Sequence, residues 1–341
     1  MADMNFRHKC TCPSTRKGYN MIPSFFDPDR FDALYLPRHA LVAEQATTIR
    51  RAGSLSKASE DKERVAVFGI DCQIGFTLPG ASLAVPGAVG DMRRGASFIL
   101  DNLSRITTLM FSLDTHRAFQ VFHPAFWTDP KGDHPKPMSV ITAADIKAGR
   151  WHAAEHNARM LQYCEALEST GRYVLTIWPF HTMLGAVDHA LVPAIFEVAL
   201  YHSLARQTQT LLVTKGEHPL TENYSVFEPE VKTLGDLNVG SFDSGLFEAL
   251  MTHDRVYIWG EASSHCVAAT LESLHDRILT TNPSFMERVF IIEDCMSPVP
   301  PVCDDTGTPI PGLDFPSIAK SRLQRLANAG MNIITSSDGL S

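Results

Sequence analysis

Seven side chains in this sequence have the types and spacing of working chemistry: Asp71, Asp114, His116, His123, His181, Lys215 and Cys266. Cys266 follows Gly260-Glu261-Ala262-Ser263-Ser264-His265 and opens a helical pattern. A thiol is a competent nucleophile only as the thiolate, and a helix N-terminus and a nearby ammonium both favour that form. Lys215 supplies the ammonium, and Asp71 is an acceptor for the thiol proton that can hand it on to a leaving amine. Backbone N–H groups between Ala262 and Cys266 are placed to receive a developing oxyanion. Together these residues make a Cys–Asp–Lys acyl-transfer site; alone, Cys266 would read as a small buried hydrophobe. The second set, Asp114, His116, His123 and His181, pairs a carboxylate with imidazoles. That donor set suits Zn, Mn or Fe with positions left open for water or substrate.

The elements that must position these groups are legible as an alternation. Short β-branched or apolar runs at 64–71, 105–114, 172–178, 210–215, 255–260, 288–294 and 331–335 read as strands. Helical patterns lie between them near 91–104, 152–169, 187–206, 264–280 and 316–329. Strands separated by helices predict βαβ units, hence an α/β fold with a central, mainly parallel sheet buried on both faces. Ligands of such sheets bind outside the carboxyl ends of the strands. Asp71, Asp114, Lys215 and the segment after Gly260 sit at those ends, and Trp178-Pro179-Phe180-His181 follows another.

Two regions interrupt the pattern. Residues 1–60 read as an N-terminal extension with one helix near 31–51, ahead of a single main domain over 61–341. An insertion spans about 128–171, and its 128–150 part is rich in Pro, Lys, Gly and Asp, the composition of a loop beside a site or at a contact between copies.

Composition limits the function classes. In 341 residues, 44% are hydrophobic and 20% charged, which is the balance of a globular protein with a sizeable core. The net charge of −8 disfavours sequence-independent binding to nucleic acid or to anionic lipid. Residues 1–12 lack the apolar core of a secretory signal, and the most apolar stretch, 187–205, is broken by Asp188, His189, Glu197 and His202. Seven cysteines do not suggest a disulfide framework. The expectation is a cytoplasmic protein with free thiols, no membrane and no nucleic-acid partner.

With these residues in place, the sequence resembles the nicotinamidase-like branch of the isochorismatase-like cysteine hydrolases. The matching pieces occur in order: Asp71-Cys72-Gln73 with Phe76, Asp114-Thr115-His116, Trp178-Pro179-x-His181 with Gly185, Lys215-Gly216 with Tyr224-Ser225-x-Phe227, and Gly260-x-Ala262 with Cys266-Val267 and Thr270. The segments 291–295 and 330–333 continue the pattern, so the resemblance covers about 64–338.

What the resemblance implies is a three-layer α/β/α sandwich and a triad of Asp71, Lys215 and Cys266. This triad would cleave a small carboxamide to acid and ammonia through a thioester. The oxyanion hole would be the backbone of Ala262 and Cys266, beside a cis peptide at the Gly-x-Ala turn. A divalent metal, zinc foremost with Mn or Fe as alternatives, would be held by Asp114, His116 and His181, with His123 one residue off the usual ligand spacing. Phe76, Trp178 and Tyr224 would line the substrate pocket, and the family commonly forms homo-oligomers.

Ser263-Ser264, Ile74-Gly75 and Thr182 depart from the family pattern, and Ser264 is expected to serve as the helix N-cap. With the long insertion, these departures admit a linear acyl-urea, carbamoyl or maleamate-type amide as substrate of the same triad, and a non-catalytic scaffold would retain the fold without its reactivity.

Other residues carry less. Cys10, Cys12 and His8 form only a lone C-x-C in a tail. Cys72, Cys164, Cys295 and Cys303 read as core or loop, Asp304-Asp305 as surface, and His134, His152, His156 and His202 as solvated. Core packing accounts for Phe119, Phe122, Trp127, Trp178 and Phe180 as well as a pocket does.

Overall fold

The computed structural model describes residues 22–53, 55–310 and 312–340, and the tail cysteines lie outside that range. Six strands make the central sheet: β1 (Val65–Ile70), β2 (Thr108–Asp114), β3 (Leu211–Lys215), β4 (Arg255–Gly260), β5 (Val289–Ile292) and β6 (Asn332–Ile334). Their order is β3-β2-β1-β4-β5-β6, and every pairing is parallel. The long helices are α1 (His39–Arg51), α2 (Ala88–Asp101), α3 (Asn157–Ser169), α4 (Pro193–Arg206), α5 (Ser244–Met251), α6 (Cys266–Thr281) and α7 (Phe315–Asn328).

Alternation along β1 builds the three layers. Val65 and Val67 pack with Met92, Ile99, Ile195, Val198 and Val42 from α2, α4 and α1. Ala66, Phe68 and Ile70 pack on the other face with Val267, Leu271, Leu274 and Leu326 from α6 and α7. All six β1 residues are buried, as a strand covered on both sides requires. Among the described residues no helix is long and apolar enough to cross a membrane.

The edge strand departs from the expected burial. Leu211 and Leu212 of β3 are 43% and 54% exposed, because β3 has a neighbour on one side only. The run at 172–178 does not join the central sheet: Leu175 and Thr176 pair antiparallel with Val140 and Ile141. A short apolar run carries no mark of which sheet it will join. Within 128–171 the chain also forms an antiparallel pair, Trp127–Thr128 with His152–Ala153, and the helix α3. The helix expected near 31–51 begins only at His39, since Pro37 disfavours helical backbone before it. Its start is tied to α4 by Arg38, whose guanidinium meets Glu197 at 2.7 Å.

Strand order reverses between β1 and β4, the switch point where a parallel sheet opens a crevice. The pairing Ile70↔Gly260 aligns the two strand ends there, and Asp114↔Lys215 aligns the ends of β2 and β3. Gly260 has φ +123, and a Cβ on it would lie 2.1 Å from the Ile70 carbonyl oxygen, so only glycine lets the strands meet this closely.

Candidate active site

The residue after β1, Asp71, turns the chain out of the sheet with φ +47, a left-handed conformation uncommon for a side chain-bearing residue. That turn aims its carboxylate across the strand ends. Oδ2 lies 2.9 Å from Lys215 Nζ, and Oδ1 accepts from Ser112 Oγ at 2.5 Å. Lys215, the last residue of β3, also reaches Asp114 Oδ1 at 2.9 Å, the Asn223 carbonyl at 3.0 Å and Cys266 Sγ at 3.5 Å. Gln73 clamps the strand ends together, since its amide donates to the Asp114 carbonyl and accepts from the Asp114 N–H.

Cys266 is the first residue of α6, where N–H groups lack intrahelical partners. The peptide Glu261–Ala262 ahead of it is cis, and the Ala262 carbonyl accepts from His265 and Val267 N–H. Ser264 does not cap the helix. The N-cap is His265, and Ser264 Oγ bonds His265 Nδ1 and accepts from Val299 N–H, which ties the loop before Cys266 to the segment after β5.

Helix and lysine do not win the contest over the thiol. Burial pushes Cys266 well above its usual range against the pull of Lys215, and Asp71 and Asp114 push the same way. Its proton is held by a hydrogen bond to Asp71, whose own carboxyl is raised by burial despite Lys215. The resting group is therefore a thiol poised on a carboxylate, rather than the free thiolate that the sequence suggests.

The four metal-type residues also meet. Ligand atoms of His116, His123 and His181 all lie within 4.8 Å of one another, and all three are buried. Asp114 Oδ2 is 3.1 Å from His116 Nε2 and 3.9 Å from His181 Nε2. His181 Nδ1 contacts the Pro179 carbonyl at 2.7 Å and His116 Nδ1 the His181 carbonyl at 3.2 Å. A carbonyl accepts only, so His181 carries its proton on Nδ1 and turns a bare Nε2 inward, a tautomer assigned from this partner, while His116 Nε2 lies within hydrogen-bond distance of Asp114. Neither nitrogen of His123 has a partner. Burial, reinforced by His116, holds His181 well below its ordinary value and lowers His123 to about 4, so both are neutral, the ligand form. Bare imidazole nitrogens facing a carboxylate are short of one positive centre, and a divalent cation fits that donor set.

The two clusters open on one narrow cavity of about 30 Å³, lined by Phe76, Trp178, Tyr224, Ala262, His181 and Cys266 among others. That is room for about one water molecule, so an amide enters only if the walls at Leu83, Val85 and Val299 give way. Trp178 is buried and donates its indole N–H to Tyr224 Oη, whereas Phe180 is exposed and packs on His123. Phe122 and Trp127 are core, and Phe119 is half-exposed.

Sequence reasoning missed the apolar walls Leu83, Val85 and Val299 and two polar lining residues. Glu222 is buried with Oε2 unpartnered, and burial raises its carboxyl well above the usual range. His265 stacks on Tyr173 and touches Trp178, Tyr224 and Phe315. Adjacency to Cys266 was a signal for His265; a lone glutamate in 219–227 carried none. His202, expected in solvent, is fully buried and bonds the Ile106 carbonyl at 3.0 Å.

No family model and no curated protein matches this chain. Solved structures do match. The yeast nicotinamidase bound to the inhibitor nicotinaldehyde is 17% identical over 80% of this chain and 99% of its own, with a TM-score of 0.50. The nicotinamidase/pyrazinamidase of Acinetobacter baumanii is 20% identical over 82% and 99%, with a TM-score of 0.49. At such identities the likeness is one of fold, and this chain has the three-layer α/β/α fold of the yeast enzyme.

Proposed function

We propose that this chain is an isochorismatase-like cysteine hydrolase of the nicotinamidase-like branch, which cleaves a small carboxamide to acid and ammonia. The observation that carries the reading is the contact ring at the switch point: Lys215 Nζ lies 2.9 Å from Asp71 and 3.5 Å from Cys266 Sγ. The ordered motifs and the shared fold agree with it.

The residues support a balanced cycle. Asp71 takes the thiol proton as Cys266 sulfur attacks the carbonyl carbon, forming a C–S bond and an oxyanion. Lys215 offsets the charge gathered around Asp71, and the N–H groups of Ala262 and Cys266 receive the oxyanion. Collapse breaks the C–N bond, and Asp71 returns the proton to the departing amine, which leaves as ammonia. Water then attacks the thioester with Asp71 again accepting the proton, and the acid and the thiol are released.

His116, His123, His181 and Asp114 would hold a divalent metal, with zinc preferred for this nitrogen-rich set and Mn or Fe as alternatives. Such an ion, when bound, offers a Lewis acid to anchor a heteroatom of the substrate. Phe76, Trp178 and Tyr224 wall a flat slot beside it, which favours a planar aromatic carboxamide over a linear one.

The reading includes a cytoplasmic location, in keeping with the unpaired Cys72, Cys164, Cys266, Cys295 and Cys303. It also includes a homo-oligomer, for which the exposed Leu211 and Leu212 on the sheet edge offer an apolar surface. No nucleic-acid or membrane partner belongs to it.

The test is ammonia release from nicotinamide, pyrazinamide, maleamate, biuret and a carbamoyl amino acid, with the wild type and Cys266→Ala. Cysteine-dependent turnover of the pyridine-type amides is expected. Turnover confined to a linear amide would move the substrate class while keeping the triad, and equal activity of the two proteins would end the covalent mechanism.

A further inference from the structure

Glu261, the residue before Ala262, is wholly buried, and so is Asp91 at the start of α2. The two side chains contact each other, yet Glu261 Oε1 and Asp91 Oδ2 find no donor. A carboxylate only accepts, so two facing carboxyl oxygens are satisfied when one of them carries a proton. The surroundings do not offer enough positive charge to hold both as anions. Arg94 bonds Asp91 Oδ1 at 2.5 Å, but it is shared with Asp294, whose carbonyl it meets at 2.5 Å and whose carboxylate lies 3.9 Å away. Three carboxyls thus face one guanidinium. From the other sides come the thiols of Cys72, packed after β1, and Cys295, after β5, both raised by burial and so neutral; Asp71 lies beyond Cys72.

The remaining bonds of Glu261 run into the loop that carries the nucleophile. Its N–H donates to the Ile70 carbonyl at 2.9 Å, and its Oε2 accepts from Ser297 N–H at 3.4 Å. Ser297 in turn accepts from Ser263 N–H at 2.9 Å, so the same residue holds the chain on both sides of Ala262.

We propose that Glu261 keeps its proton and donates it to the facing Asp91, and that this contact is a positioning device that keeps the Ala262 N–H at the cavity. The positioning half rests on the amidase reading; the proton on Glu261 does not. Burial pushes the Glu261 carboxyl well above its ordinary 4.5. Loss of the proton sets two like charges in contact in a low-dielectric interior. Their repulsion moves Glu261, and with it Ser297 and Ala262.

The experiment is denaturant unfolding of wild type, Glu261→Gln, Glu261→Ala and Asp91→Asn between pH 5 and 9. A carboxyl whose folded pKa is raised stabilises the fold fully below its free value and loses that contribution as pH rises toward the folded value. The unfolding constant of wild type relative to Glu261→Gln is therefore expected to grow about tenfold per pH unit until the pair itself titrates. Glu261→Gln keeps a donor to Asp91 without a titrating group, so its curve is flatter. Asp91→Asn leaves the buried Glu261 in place, so its curve stays steeper than that of Glu261→Gln, and Glu261→Ala is less stable than Glu261→Gln throughout. Parallel wild-type and Glu261→Gln curves would overturn the proton on Glu261.

For the positioning half, kcat on the amide that is turned over is read against pH. Wild-type kcat is expected to fall on the alkaline side with KM unchanged, Glu261→Gln to hold its rate there, and Glu261→Ala to be slow at every pH. An identical alkaline limb in wild type and Glu261→Gln would overturn it. Silence on every amide would overturn the amidase reading and the positioning half together, while the unfolding series still decides the proton.

Discussion

Lys215 Nζ and Asp114 Oδ1 are 2.9 Å apart, while the other Asp114 oxygen faces His116 at 3.1 Å. One carboxylate thus joins the thiol ring to the histidine trio. Asp114→Asn is expected to act on both in opposite directions. If Asp114 is a ligand of the proposed metal, metal content should fall because its charge is gone. The Cys266 thiol becomes easier to ionise, because Asp114 is one of the charges that raise it. Iodoacetamide should then label Cys266 faster than in wild type near pH 7, by roughly tenfold for each unit the thiol falls. Unchanged labelling with reduced metal would separate the two clusters.

The Cys266 thiol is hydrogen-bonded to Asp71, and in the proposed cycle Asp71 moves a proton twice in each turnover. Asp71→Asn is expected to slow ammonia release by about 10²–10⁴-fold, the range for loss of a positioned acid–base group. Cys266→Ala is expected to abolish it while leaving a folded protein, since the truncation removes a single buried sulfur. Ammonia assays and thermal melts of both variants check this. A fully active Asp71→Asn would mean that another group moves the proton.

Neither ring nitrogen of His123 makes a well-formed hydrogen bond to a side chain, but the ring is buried against Phe122 and Phe180 beside the Arg117 and Ala118 backbone. If it is a metal ligand, His123→Ala should lose zinc affinity beyond what its lower melting temperature in metal-free buffer explains, with zinc read on the folded protein. Loss of an outer-shell partner alone costs about 10–100-fold, so loss of a direct ligand should cost at least that. Zinc per chain after dialysis against graded chelator measures it. Equal retention by wild type and variant would leave His116, His181 and Asp114 as the complete set.

Much of this arrangement was legible because runs such as 65–70 and 256–259 are apolar for their whole length and are followed by a polar or glycine residue. A strand of that kind can only be buried on both faces, and its last residue lies at the crevice. Apart from the late start of α1, which Pro37 sets locally, the misreadings concern properties fixed mostly by remote neighbours. Leu211 and Leu212 look like core until β3 proves to be the sheet edge. Ser264 has the side chain of an N-cap, but Val299 and His265 claim its hydroxyl. Glu222 and Glu261 are single acids without periodicity, and nothing in a linear string tells a buried glutamate from a solvated one.

His202 belongs to the same class, and its burial makes a signed prediction. Its Nε2–H donates to the Ile106 carbonyl, and burial lowers its pKa from 6.5 to about 4. A histidine held neutral in the fold is harder to protonate there than in the unfolded chain. Its contribution to stability is therefore complete above pH 6.5 and is lost as pH falls from 6.5 toward 4, at up to about 1.4 kcal/mol per pH unit. His202→Gln keeps a donor near Ile106 without a titrating group. The variant is expected to be less stable than wild type at pH 8, because the packing of the ring is lost, and to close that gap as the pH drops to 5. Denaturant midpoints at the two pH values read the difference. A gap of constant size would mean that His202 does not titrate with unfolding, and that any acid sensitivity of the fold comes instead from buried His265, His181 and His123.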